Sequence, residues 1–133
     1  MTPPSVLGRV SAWVAFRLFR GPLARRSRYL HQLAMKLFRY GAERGDRTAL
    51  TTYGSLLHFR GSDPQSRTQG ALYLQAAAER GDAKALWLVG QFYQEGLSPF
   101  FDKDPVKARH CYQAAAEQGH PLALSYLERH PEL

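Results

Sequence analysis

Apolar residues along this chain recur at helical steps. Leu30, Leu33, Ala34, Leu37 and Phe38 are spaced by threes and fours, which places them on one face of a helix that runs on to Gly45. Upstream, Leu7, Val10, Val14 and Leu18 share one side of a helix predicted over 6–20, while Arg9, Arg17 and Arg20 gather on another beside Trp13. Gly21-Pro22 interrupts the two. Further helices are expected over 46–59, 67–80, 82–95, 104–118 and 120–129. Residues 60–66 and 96–103 carry the Gly, Ser, Asp and Pro of connecting loops.

One ten-residue phrase organises these helices because it occurs three times. Residues 41–50, 77–86 and 115–124 each read as a helix end, a glycine and a fresh helix start, and Gly45, Gly81 and Gly119 lie 36 and 38 residues apart. A period in this range marks a stacked repeat. Each glycine follows good helix formers, where a left-handed C-cap is required and glycine adopts it without strain. Asp46 and Asp82 follow as N-caps for the next helix, and His120-Pro121 replaces them in the third copy. The chain should therefore fold as a series of α/α hairpins.

The second copy carries the fullest pattern: Gly-Asp-Ala-Lys-Ala-Leu-Trp-Leu-Val-Gly-Gln-Phe-Tyr-Gln-Glu-Gly over 81–96, then Lys-Ala-Arg-His-Cys-Tyr-Gln-Ala-Ala-Ala-Glu-Gln-Gly over 107–119. It resembles the Sel-one-like repeat (SLR) family, relatives of the tetratricopeptide repeat. Ala85, Val89, Gly90, Tyr93, Gly96, Lys107, Ala108, Tyr112, Ala115 and Gly119 fall on that family's pattern, and Cys111 stands at its usual Trp position. The preceding copy keeps Ala49, Tyr53, Gly54, Tyr73, Leu74, Ala77 and Gly81, but has Leu57 for Tyr, Gln69 for Lys and Gly70 for Ala. The resemblance implies an all-α superhelical stack of about six helices. Its expected divisions are a basic N-terminal segment over 1–21 and a repeat domain over 22–133. That domain divides into a half repeat 22–45, repeats 46–81 and 82–119, and a terminal half repeat 120–133. Gly54 and Gly90 lie inside helices, where glycine costs about 0.5–1 kcal/mol relative to Ala; close approach of a neighbouring helix would explain them.

Charge changes the picture at one end only. The net charge is +7, yet residues 1–42 hold eight Arg or Lys and no acid, while the rest of the chain is nearly balanced. A basic face of that kind suits an anionic membrane surface, with Arg9, Trp13, Arg17, Arg20, Arg25 and Arg26 as the candidate contacts. The alternative is that the first helix packs on the repeats as a cap, and an Arg-rich, acid-free start also resembles a mitochondrial targeting segment. Only seven uncharged residues separate Arg9 from Arg17, far short of the roughly 20 that span a bilayer. Nucleic acid is not an expected partner, because no finger motif or aromatic-studded strand accompanies the bases. One cysteine and no convincing secretory signal point to a reducing, cytoplasmic setting, with the membrane surface as the alternative.

No catalytic constellation is legible. His31, His58, His110, His120 and His130 form no metal-ligand spacing, and no phosphate-binding loop or nucleophile elbow is present. His110 adjoins Cys111, but neighbours in a helix do not face each other, so a packed thiol is the expected role. A non-enzymatic protein without cofactor or metal is anticipated. The resemblance implies an adaptor that binds a segment of another protein on the concave face lined by the first helix of each hairpin. Lys84, Trp87, Leu88, Gln91 and Glu95 occupy that side in one repeat, Thr48, Thr51, Thr52, Ser55 and Phe59 in the preceding one, and Leu122, Ser125 and Tyr126 in the last helix. Trp87 either anchors a partner or packs on a neighbouring helix. Phe100 and Phe101, in the loop that carries the two extra residues, form a second candidate patch.

Overall fold

The computed structural model describes residues 6–20 and 28–131, with 18–20 as backbone only. Among these residues seven helices follow one another: α1 (Val6–Arg20), α2 (Arg28–Glu43), α3 (Arg47–Arg60), α4 (Pro64–Glu79), α5 (Ala83–Glu95), α6 (Pro105–Glu117) and α7 (Pro121–Arg129). The all-α class agrees with the sequence pattern, with one helix more than the six expected. An isolated backbone bridge between Leu97 and Phe101 is the only β-type pairing among the described residues.

The three hinges share one geometry. Gly45, Gly81 and Gly119 have φ of 81°, 83° and 83°. In each, the glycine amide donates to a carbonyl three residues back, and the following amide reaches five residues back. These bonds are Gly45 to Ala42 and Asp46 to Gly41, Gly81 to Ala78 and Asp82 to Ala77, Gly119 to Ala116 and His120 to Ala115. They satisfy helix-end carbonyls that would otherwise be orphaned, as in a Schellman motif. Asp46 and Asp82 then accept from the amides of Ala49 and Ala85, both at 2.9 Å. His120 makes no side-chain cap, and Pro121 begins α7.

Both α4 and α6 start at an Asp-Pro pair. Asp104 accepts from the amides of Val106 and Lys107, and Asp63 from Ser66. A hydrogen bond from the Ser66 hydroxyl, and after it the one from the Ser66 amide, holds the Asp63 carboxyl below the usual range. Because Asp63 caps and Pro64 occupies the first helical position, α4 begins at Pro64, three residues before the expected 67. The loop before it shrinks accordingly.

The chain divides into two compact units, Met1–Tyr73 and Leu74–Leu133, and the division falls within α4. In the first unit α1 packs on α2, and α2 on α3. Small residues permit close contact: a Cβ on Gly41 would lie 2.8 Å from the Ala49 Cβ and 3.0 Å from the Gly8 carbonyl oxygen. Gly70 of α4 lies against the α3 backbone, where a Cβ would collide with the His58 amide nitrogen and stand 2.6 Å from the Gly54 carbonyl oxygen. This accounts for Gly in place of the Ala of the repeat pattern. Phe38, fully buried, meets Phe16 edge-on at 5.0 Å.

In the second unit Leu86, Val89, Tyr112, Ala115 and Ala123 are buried between α5, α6 and α7. The Tyr112 ring occupies the space beside Gly90, and its hydroxyl donates to Gln94. Arg109 of α6 donates to the carbonyls of His130 (2.7 Å) and Pro131 (3.0 Å), fastening the end of α7. Gln118 at the third hinge donates to the Gly81 carbonyl of the second.

Two glycines test the two kinds of requirement by urea denaturation. Gly119→Ala meets open space but a left-handed backbone, so it should lose about 1 kcal/mol and leave Trp87 fluorescence unchanged. A Cβ at Gly90 would stand 2.5 Å and 2.8 Å from Tyr112 ring atoms, so Gly90→Ala should cost about 1–3 kcal/mol. Since Tyr112 touches Trp87, that change should also alter the fluorescence.

Candidate interaction surfaces

The side chains singled out from sequence fall into three groups. On α5, Lys84 and Glu95 are exposed, while Leu88 and Gln91 are half-buried. Trp87 is also half-buried, because its ring is held among others. It lies 4.9 Å from Tyr112, stacks on His120 at 5.8 Å, and meets Tyr126 of α7 at 6.4 Å. Tyr126 in turn stacks on His130 at 4.3 Å and contacts Tyr112 at 4.5 Å. Trp87 is thus a packing element whose ring edge still reaches the surface. Half-buried Ser125 and exposed Leu122 continue this surface on α7.

Two residues expected at a contact surface are interior. Thr51 of α3 is only 5% exposed. Its neighbour Ser55 is half-buried, with an Oγ that is shielded and has no hydrogen-bond partner. Phe101 is 2% exposed, tucked against Phe92 and Tyr93 at 5.3 Å each, while its amide and carbonyl pair with Leu97. Phe100 beside it is 54% exposed. Adjacent aromatics in a tight loop cannot both point inward, and the backbone pairing selects Phe101. The half-buried Tyr93 lies under the Lys107 ammonium, 5.4 Å from the ring centre.

At the N-terminal end, Arg9, Trp13 and Arg17 are exposed, and the Arg17 guanidinium lies 5.5 Å from the centre of the Trp13 ring. The Arg20 side chain and the whole of Arg25 and Arg26 lie outside the described residues. Sequence periodicity did not reveal which side of α1 packs. Gly8, Ser11, Ala12 and Ala15 are its buried residues, and the bulky stripe of Val6, Leu7 and Val10 faces out. The spacing of small residues at 8, 11, 12 and 15 carried that signal.

No three His, Cys, Asp or Glu side chains converge on a possible metal position among the described residues, and no helix there is long and apolar enough to cross a membrane. Cys111 is half-buried, and burial pushes its thiol up. Burial likewise raises the Tyr112 hydroxyl.

A set of helical hairpins joined by glycine hinges of one geometry defines an α/α repeat protein. The Sel1 repeat family model matches residues 15–46, 49–82 and 83–120, and the chain belongs to this family. The first match begins inside α1, ahead of the half repeat expected from residue 22. Such repeats are generally protein–protein interaction scaffolds. Among solved structures, a Sel1 repeat protein from Oxalobacter formigenes is 23% identical with a TM-score of 0.77, covering 92% of this chain and 89% of that one. A protective antigen of uropathogenic Escherichia coli with an SLR fold is 24% identical with a TM-score of 0.74. That match covers 90% of this chain, which spans only 25% of the antigen's length. At these identities the likeness establishes the fold. No curated protein sequence matches the chain.

The buried and exposed aromatics of the loop should separate on truncation. Phe101→Ala should lose about 3–5 kcal/mol in chemical denaturation, and Phe100→Ala less than about 0.5. Because alkylation proceeds through the thiolate, the raised Cys111 pKa leaves less of it at any given pH. Iodoacetamide should therefore label native Cys111 about tenfold more slowly than the urea-unfolded chain at neutral pH, by mass spectrometry, and faster as pH rises.

Proposed function

We propose that this chain is a non-enzymatic scaffold that holds a segment of another protein against the outward face of α5 and α7. The observation that carries this reading is the pair of half-buried rings Trp87 and Tyr126, held on the buried Tyr112, with Lys84 and Leu122 exposed on the same two helices. Rigid aromatic rings with polar and aliphatic neighbours suit a peptide's side chains, and binding energy at such surfaces concentrates on a few residues. Membership of the Sel1 repeat family supports the same class of activity. The face offers donors and acceptors for orientation and no converging acid, base or nucleophile for chemistry.

Trp87 is a poor residue to mutate first, because an acidic side chain there would disturb the rings beneath it. Lys84→Glu combined with Leu122→Glu alters only exposed positions. In cross-linked capture from the native host, the double variant should lose its principal partner by roughly thirtyfold, equivalent to about 2 kcal/mol, with its thermal melt unchanged. Recovery of the same partners by both proteins would exclude this face.

A further inference from the structure

The outward face of α1 is independent of the scaffold reading and has its own chemistry. α1 commits its narrow side to the fold: Gly8, Ser11, Ala12 and Ala15 are buried, and the Ser11 hydroxyl is satisfied by the Gly8 carbonyl at 2.9 Å. The bulky side is left uncovered, with Val6 at 72%, Leu7 at 66%, Val10 at 51% and Trp13 at 63% exposure. Positions 6, 10, 13 and 17 fall in one line along a helix, so exposed Arg17 continues the row of Val6, Val10 and Trp13. A stripe of this size costs free energy in water unless something covers it.

Charge decides what that is. No carboxylate side chain precedes Glu43, whereas eight Arg or Lys do, and Glu43 itself is paired with Arg39 at 3.0 Å. A second copy docking the same face would bring the same positive field against it, and like charges oppose such pairing. A surface of acidic headgroups over an acyl interior complements both features at once. Aliphatic side chains and a tryptophan can sink to the headgroup–acyl boundary while arginines remain among the phosphates. We infer that α1 is an interfacial membrane-binding helix: Val6, Leu7, Val10 and Trp13 insert into an anionic lipid surface, and Arg9 and Arg17 hold its headgroups. The helix needs no refolding to do so, because its opposite side is already packed on α2.

The test uses the full chain in sedimentation with vesicles of phosphatidylcholine containing phosphatidylserine, compared with phosphatidylcholine alone. Binding should require phosphatidylserine and fall about tenfold between low and high salt, as screening weakens headgroup attraction. Val10→Glu with Trp13→Glu, both at exposed positions, should abolish binding with the thermal melt preserved. In a Trp87→Phe background, Trp13 fluorescence should be quenched by lipids brominated near the headgroup end of the acyl chain. Equal sedimentation of wild type and the double variant, or no sedimentation at low salt, overturns the inference. So does a concentration-dependent dimer that the double variant loses, since a second copy would then cover the face.

Discussion

The structure depends on a reversal of the backbone that L-residues with side chains resist. At 45, 81 and 119 the chain must enter the left-handed region, where a Cβ crowds the following carbonyl, and glycine escapes that penalty. The two hinge hydrogen bonds close the ending helix and leave the next residue in extended backbone. Asp46 and Asp82 then cap the next helix through hydrogen bonds that are local in sequence. The third hinge keeps the same backbone bonds with His120 and Pro121 in place of the aspartate, so the reversal belongs to glycine and the cap is an addition.

Close packing is the second constraint, and it determines which side chains are left for recognition. The α1 side of its seam is built mainly from small residues, Gly8, Ala12 and Ala15, with the Phe16–Phe38 ring pair as the large contact. On α1 this displaces valine, leucine and tryptophan to the solvent side. In the second unit one large side chain is admitted beside Gly90, and the Tyr112 ring that fills the space becomes the floor beneath Trp87 and Tyr126. One rule thus yields an aliphatic, basic face on α1 and an aromatic face on α5 and α7.

These faces are matched to different occupants by their surroundings. On α1 itself the charges are of one sign, which favours an extended anionic surface over a patterned protein epitope. Around Trp87 a lysine, a glutamate, a glutamine and a leucine alternate, which suits a partner with its own mixed pattern. Function in a repeat protein resides in side chains that the stack does not need, and those residues differ most between otherwise similar folds.

The helical hairpins, their hinges and their family pattern were legible in the sequence because they rest on local rules: glycine after helix formers, aspartate before the next amides, apolar residues at steps of three and four. Even the early start of α4 was written in Asp63-Pro64, the same pair that opens α6. The orientation of individual side chains was not local. Phe100 and Phe101 are chemically identical, and only the Leu97 pairing sends Phe101 inward. Thr51 sits on the expected side of a helix yet is enclosed by the packing of its unit. On α1 the hydrophobic stripe left the packing side open, and the small residues Gly8, Ser11, Ala12 and Ala15 turned out to form it. By itself the sequence determined where the chain turns and what each helix contains. Which faces remain open was decided by how near the backbones come, a distance set by pairs of residues far apart in the chain.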